Sequence, residues 1–410
     1  MTRLTTTTVL LAVAVCLSAA GAYAQEPEPQ TRAETLLRQR EEKSRNLEPP
    51  EKSGLERFLM DLESGRLFER LINPAEGVYP KLGNITTGSG FSFGPAYRKP
   101  EILGGHADFS TFAAVSMSRY WMLDARLRFP RLASERVLVD VHAQRYDFPE
   151  EDFFGLGPAS NRDDEVTYAL ANTIVGGAGT YRPTRWLNLT AGLDWLRPDI
   201  RATTEPGSLL SRFAPSGAPG VLDQPDYLRY TTMVDVNMRE PQGNPRRGGQ
   251  YKVTHQRYDD NNGQLFSFDR VEVDLQQYVP IVKDRRVLAL RGRVTMTDAL
   301  EGAQVPFYLQ PTLGGPDDLR GFRHFRFRDR NSLLLQAEYR WEIFTAVDGA
   351  IFVDAGKVAP RREDLDFRNL ESDYGIGFRF GTVKGVFLRV EGAFGSSAGA
   401  HFVLRYGHVF

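Results

Sequence analysis

Six histidines, His106, His142, His255, His324, His401 and His408, are the first residues to question for catalysis or metal binding. No two of them stand at a helical metal-ligand spacing, and no H-E-x-x-H occurs, so no metal site is expected. His142 and Asp140 fall on one face of a strand-like stretch and come nearest to a hydrolytic dyad. Scattered polar residues on a wetted wall explain them better. Gly88-x-Gly90-x-x-x-Gly94 carries the glycines of a dinucleotide site, but a strand follows instead of the helix whose amino end would hold the pyrophosphate. Asp317-Asp318 and Asp163-Asp164-Glu165 offer oxygen ligands for calcium, yet acidic loop residues are usually solvated. The single cysteine, Cys16, lies near the amino end, which leaves no thiolate nucleophile, cysteine metal site or disulfide beyond it. The expectation is a protein with no catalytic residue, no metal and no cofactor, so function has to be sought in architecture.

The amino end reads as an export signal: Arg3, an apolar run from Val9 to Ala19, and Ala22-Tyr23-Ala24 before a cut after Ala24. That run is well short of the roughly 20 residues a spanning helix needs. No later stretch approaches 18 apolar residues, which excludes a helical membrane protein. With 51 Lys and Arg against 52 Asp and Glu, formal net charge is −1, which argues against nucleic acid as a partner. Residues 25–75 are charged and strandless, and Leu55, Phe58, Leu59, Leu62, Leu67, Phe68, Leu71 and Ile72 recur at near-helical spacing. They are expected to form a short periplasmic helical or linker segment.

From Val78 the period changes to two. Trp121, Leu123, Ala125, Leu127 and Phe129 share one face opposite Asp124, Arg126 and Arg128; Val386, Leu388, Val390, Gly392 and Phe394 share one opposite Arg389 and Glu391. A soluble sandwich gives the same local alternation, but the number and length of the segments favour strands that cross a membrane with polar residues facing a lumen. Sixteen are expected, at 78–86, 90–98, 106–117, 119–129, 136–147, 165–181, 186–197, 228–240, 249–260, 265–279, 286–298, 331–344, 349–358, 371–380, 386–395 and 400–410. The fold class is therefore all-β, a transmembrane antiparallel barrel over 76–410, with 148–164, 198–227, 299–330 and 359–370 as outward loops. Tyr181, Trp186, Phe129, Tyr227, Tyr230, Trp341 and Phe344 cluster at strand ends as an interfacial girdle would. The last strand alternates Phe402, Leu404, Tyr406, His408 and Phe410, an aromatic ending common among outer-membrane barrels.

Pro311-Thr312-Leu313-Gly314-Gly315-Pro316-Asp317-Asp318-Leu319-Arg320-Gly321-Phe322 resembles the sixth extracellular loop of the BamA/TamA superfamily, the bacterial surface antigen family. Glu338, Phe352-Val353-Asp354-Ala355-Gly356 and the terminal Phe410 follow in family order, with five strands after the loop. The resemblance covers about residues 76 to 410 and departs at the amino end, where the mixed α/β periplasmic POTRA domains of family insertases have no counterpart. It implies that the loop folds inward and that Arg320, Gly321 and Phe322 form a lock with Glu338, Asp354 and Gly356, a guanidinium bridging two lumen carboxylates. It further implies that Tyr406 and Phe410 serve as an assembly signal. The expected role is non-enzymatic assembly, insertion or export of proteins, or lipids, at the bacterial outer membrane, with outer-membrane lipid, client proteins and periplasmic partners as its company. The competing reading is a passive or selective pore, its selectivity set by Arg126, Arg128, Arg291, Arg293, Arg379 and Arg389.

Overall fold

In the computed structural model the described residues are 76–202, 208–213, 215–282, 284–344, 346–382, 385–395 and 399–405. The expected signal peptide, the segment 25–75 and the pair Tyr406 and Phe410 lie outside them.

Sixteen strands form one sheet in which each pairs with its sequence neighbours, antiparallel throughout. They are β1 (Gly77–Gly83), β2 (Ser92–Glu101), β3 (Ala107–Ser116), β4 (Trp121–Leu132), β5 (Val137–Phe153), β6 (Val166–Thr184), β7 (Leu187–Arg201), β8 (Tyr227–Asn237), β9 (Gly248–Asp260), β10 (Phe268–Val282), β11 (Arg286–Ala299), β14 (Asn331–Phe344), β15 (Val347–Ala359), β16 (Glu371–Thr382), β17 (Gly385–Gly395) and β18 (Gly399–Arg405). Between β11 and β14, which pair directly, the chain makes a small ribbon of β12 (Thr312–Leu313) and β13 (Phe327–Arg328). The architecture is a transmembrane β-barrel, the one sheet form that satisfies every backbone group in lipid.

The wall faces are divided by residue type. Leu123, Val141, Leu193, Ile351, Val353 and Ile376 are exposed outward, whereas Gln336, Glu338, Arg340, Asp354, Arg379, Arg389 and Glu391 are buried inside. A water-facing barrel would invert this arrangement, because its buried face would have to be apolar.

Three expectations need correction. β5 continues to Phe153, past the expected end at 147, because Pro149 sits where the register to β6 shifts between Phe148 and Glu151. A proline, which cannot donate to a ladder, is accommodated at such a bulge, so what reads as a turn in sequence is a bent strand. β1 ends at Gly83, short of Thr86, and Thr86 and Thr87 belong to the loop that follows. Tyr227 is no girdle residue: it pairs with Leu196 and is fully buried with Tyr258 and Phe268. By contrast Tyr181, Trp186, Tyr230 and Phe344 are exposed at strand ends.

Outside the wall, long loops close over one mouth. Phe153, Tyr168, Ile200, Leu209, Val221, Phe307 and Tyr308 form one apolar cluster drawn from β5, β6, β7 and the loops 202–226 and 300–330. Phe307 meets Phe153 and Tyr168 at ring-centroid separations of 5.0 and 4.9 Å.

Extracted in detergent, the protein is expected to give a β-rich circular dichroism spectrum and to run faster on gels unboiled than boiled, because the paired wall resists dodecyl sulfate until heated. Solubility in water without detergent would contradict the barrel.

Candidate functional site

The tip of the 300–330 loop turns inward and is fastened from several strands. The turn begins at Gly314 and Gly315, whose φ values are +116° and +104°, a region side chains resist. A Cβ on Gly315 would lie 2.8 Å from His324 Nδ1, so bulk is excluded as well as conformation. Leu313, Leu319, Phe322 and Phe327 then bury against Leu334 of β14 and Val358 of β15. This apolar seat brings Arg320 to the inner wall.

Arg320 is 1% exposed. Its Nε donates to Asp354 Oδ2 at 2.7 Å and its Nη2 to Asp354 Oδ1 at 2.9 Å, the two-pronged geometry of a planar guanidinium on a carboxylate. Nη1 reaches Glu338 Oε2 at 3.4 Å and Glu391 Oε1 at 3.2 Å. Beneath it lies Phe352, its ring centroid 3.3 Å from the guanidinium carbon. Burial would pull the Arg320 pKa down, but Asp354, then Glu391 and Glu338, more than reverse this and hold it above its ordinary value. Gly321 is small because space is absent: a Cβ there would lie 2.6 Å from Asp373 Cβ and 2.6 Å from Gly395 N. Gly356 faces the same limit, 2.7 Å from Leu333 O.

A second ring of arginines balances the carboxylates. Glu338 also accepts from Arg340 Nε at 3.0 Å and pairs with Arg379, and Glu391 accepts from Arg389 Nη1 at 3.0 Å. Four buried guanidiniums thus share Glu338, Asp354 and Glu391, which is how so many charges can be removed from water together. The acidic pair Asp317-Asp318 is part of this fastening. Asp317 bridges Arg389 at 3.3 Å and Arg405 at 2.7 Å, and Asp318 meets Arg293 at 2.5 Å. The other acidic stretch is likewise engaged, Asp164 by Arg212 and Glu165 by Arg323. His142 lies between Asp140 and Asp194, 3.1 Å from each, and Asp194 is also held by Arg229 at 2.7 Å; this is a wall network.

The arrangement can hold a loop in a lumen. The structure therefore brings together Arg320, Gly321, Phe322, Glu338, Asp354 and Gly356. Sequence reasoning missed Glu391 as a partner of Arg320, and Arg340, Arg379 and Arg389 as its counterweights. Alternation alone placed Glu391 and Arg389 on the inner face, but only the tertiary course of the loop, whose tip reaches β17, sets Glu391 against Arg320.

The Omp85 superfamily domain matches residues 118–396 of the 410, more than half of the chain. The chain belongs to the Omp85 superfamily. Among the solved structures that share its fold are three outer-membrane barrels. BamA from Haemophilus ducreyi lacking POTRA domains 1-3 aligns at a TM-score of 0.63 with 15% identity, over 81% of this chain and 70% of that one. CdiB from Acinetobacter baumannii aligns at 0.52 with 12% identity, over 81% and 59%. CdiB from Escherichia coli aligns at 0.53 with 14% identity, over 80% and 61%. This Omp85 barrel is accordingly a protein of the bacterial outer membrane, and it spans about three fifths of each CdiB chain.

Two outcomes follow for the Omp85 loop. Removing one member of a dry charged set costs about 3 to 5 kcal/mol, less where lumen water relieves the orphaned charges. Arg320→Ala and Asp354→Ala should each expose the loop to protease on intact cells, with the double change far from additive and Arg320→Lys rescuing only in part. Simple additivity would refute the pairing. Separately, His324 is held down to about 4 by burial, then by Arg405 and His401. An unfolded imidazole titrates near 6.5, so the displaced loop binds the extra proton between those values. Loop protection should be complete above about pH 6.5 and decline towards pH 4, and His324→Asn should flatten that profile.

Proposed function

We propose that this barrel assists the insertion or export of polypeptides at the outer membrane without a chemical step, using a wall that opens beside a loop held in the lumen. The observation that carries the reading is the fastening of residues 317–320 to five strands at once, by Arg293 of β11, Glu338 of β14, Asp354 of β15, Glu391 and Arg389 of β17, and Arg405 of β18. A loop so placed occupies the space an open channel would need. It also braces the last strands, and among the described residues no ion pair joins it to β1. Arg405 Nη1 touches Thr87 Oγ1 at 3.2 Å, a side-chain contact between β18 and the loop after β1. No ladder joins β1 to β18 among the described residues. With seven residues, two of them glycine and one proline, β1 has few side-chain contacts with which to resist separation.

Superfamily membership supports the same role. Its partners are client polypeptides, the surrounding lipid and periplasmic factors that deliver cargo; Tyr406 and Phe410 serve the barrel's own assembly, and the leader directs export. The pore reading draws on the inner arginines, but Arg126 and Arg128 face Asp140, Arg291 faces Asp274 and Arg293 faces Asp318. Neutralised in this way, they supply little field to select an ion.

The test is reconstitution in liposomes with an unfolded outer-membrane barrel as client. Faster client insertion than in empty liposomes, lost in Arg320→Ala, is the expected result. Steady solute flux through the parent with no gain in insertion would replace this reading with the pore.

A further inference from the structure

Facing the bilayer, β2 to β6 carry a shallow apolar concavity of about 540 Å³. Its floor is unusually low because Ala125 pairs with Ala143 in register, and Ala113 with Leu123. Directly opposed residues of antiparallel strands point to the same side. That side is the outward one, since Leu123 and Val175, which pair within the same rows, are both exposed there.

At the rim of this concavity stands Arg145, in register with Leu123 on one side and Thr173 on the other, hence also facing out. Its Nη1 donates to Thr173 Oγ1 at 2.6 Å, and among the described residues no carboxylate forms an ion pair with it. Neighbouring outward cations are better provided for. Arg201 holds Asp147, Arg257 is shared by Asp259 and Asp269, and Arg197, in register with Thr173 from β7, lies 3.8 Å from Asp226.

Depth decides what can complete Arg145. From Val137 at the turn, the strand climbs about 20 Å to Arg145, taking about 3.3 Å per residue and a tilt of about 40°. The apolar band of such barrels is about 25 Å tall. Counted from that turn, Arg145 lies within about 5 Å of the far edge of the band, near enough for its long side chain to carry the guanidinium up to the headgroups. A half-buried guanidinium at this level needs an anion, and a phosphate matches its fork.

We propose that Arg145 and Thr173, with Arg197 beside them, bind the headgroup phosphate of a membrane lipid whose acyl chain lies in the concavity over Ala113, Ala125 and Ala143. The occupant is a lipid because the cation and the apolar floor are continuous, and a free anion would use only the first. This site is separate from the loop lock and independent of which cargo the barrel serves.

The full chain, delipidated in neutral detergent and shown to be heat-modifiable, would be titrated by native mass spectrometry with phosphatidylglycerol, with diacylglycerol of the same acyl chains, and with inorganic phosphate. One saturable phosphatidylglycerol should be retained, about tenfold more weakly by Arg145→Ala, the loss of one charge-assisted hydrogen bond. Arg145→Lys should recover part of it. Ala143→Phe, which fills the floor with the cation in place, should also weaken retention and serves if Arg145→Ala does not fold. Parent-strength retention by Arg145→Ala overturns the proposal. So does equal retention of diacylglycerol, or displacement by inorganic phosphate with no effect of Ala143→Phe, which would mark a bare anion site.

Discussion

Everything inside the barrel is arranged around one guanidinium that cannot be left alone. Arg320 is carried to the lumen wall by a loop, and once there it is out of water, so its charge has to be met by Asp354 with two hydrogen bonds and by Glu338 and Glu391 beyond it. Those carboxylates are themselves buried and demand Arg340, Arg379 and Arg389. Taken singly, each such charge would be prohibitive; as a closed set they fix the loop's position more than they add net stability. Phe352 beneath the guanidinium and the small residues Gly321 and Gly356 are consequences of the same closeness.

Position explains more than energy here. The loop's apolar seat of Leu313, Leu319, Phe322 and Phe327 makes burial of the tip favourable, while the charged set selects which strands it touches. Those strands are β11 and β14 to β18, the closing end of the sheet. The opening end meets the loop at the turn after β1, where a Cβ on Gly88 would lie 3.3 Å from His324 and one on Gly315 3.3 Å from Thr87 Cγ2, while Arg405 of β18 touches Thr87. One side of the wall is therefore stiffened from within and the other is held by short strands and few contacts. Such an asymmetry suits a wall that parts at one place, which is the physical content of the proposed role.

The strands were legible because lipid and lumen impose opposite chemistry on alternate residues. Trp121 to Phe129 and Val386 to Phe394 read their faces directly from sequence, with Leu123 exposed and Arg389 and Glu391 buried, and the wall they belong to follows the expected order. Ends were less legible. Pro149 in β5 reads as a turn by composition, yet a bulge absorbs it; Tyr227 reads as a girdle aromatic, yet the loop cap that buries it is a tertiary fact. In the lock, Arg320, Glu338 and Asp354 were visible through their motif. Glu391 was visible only as an inward residue, because its partner comes from 71 positions away across a lumen that no local pattern describes.

Hydrogen exchange of residues 311–328 in the detergent-solubilised protein tests the central claim most directly, since it reports opening of the loop without reference to cargo. If the ionic set holds the tip in the lumen, these amides exchange as slowly as those of β14 and β15, and Arg320→Ala speeds them while β14 and β15 remain protected. Exchange in the parent as fast as in the exposed loop 360–370 would contradict the account.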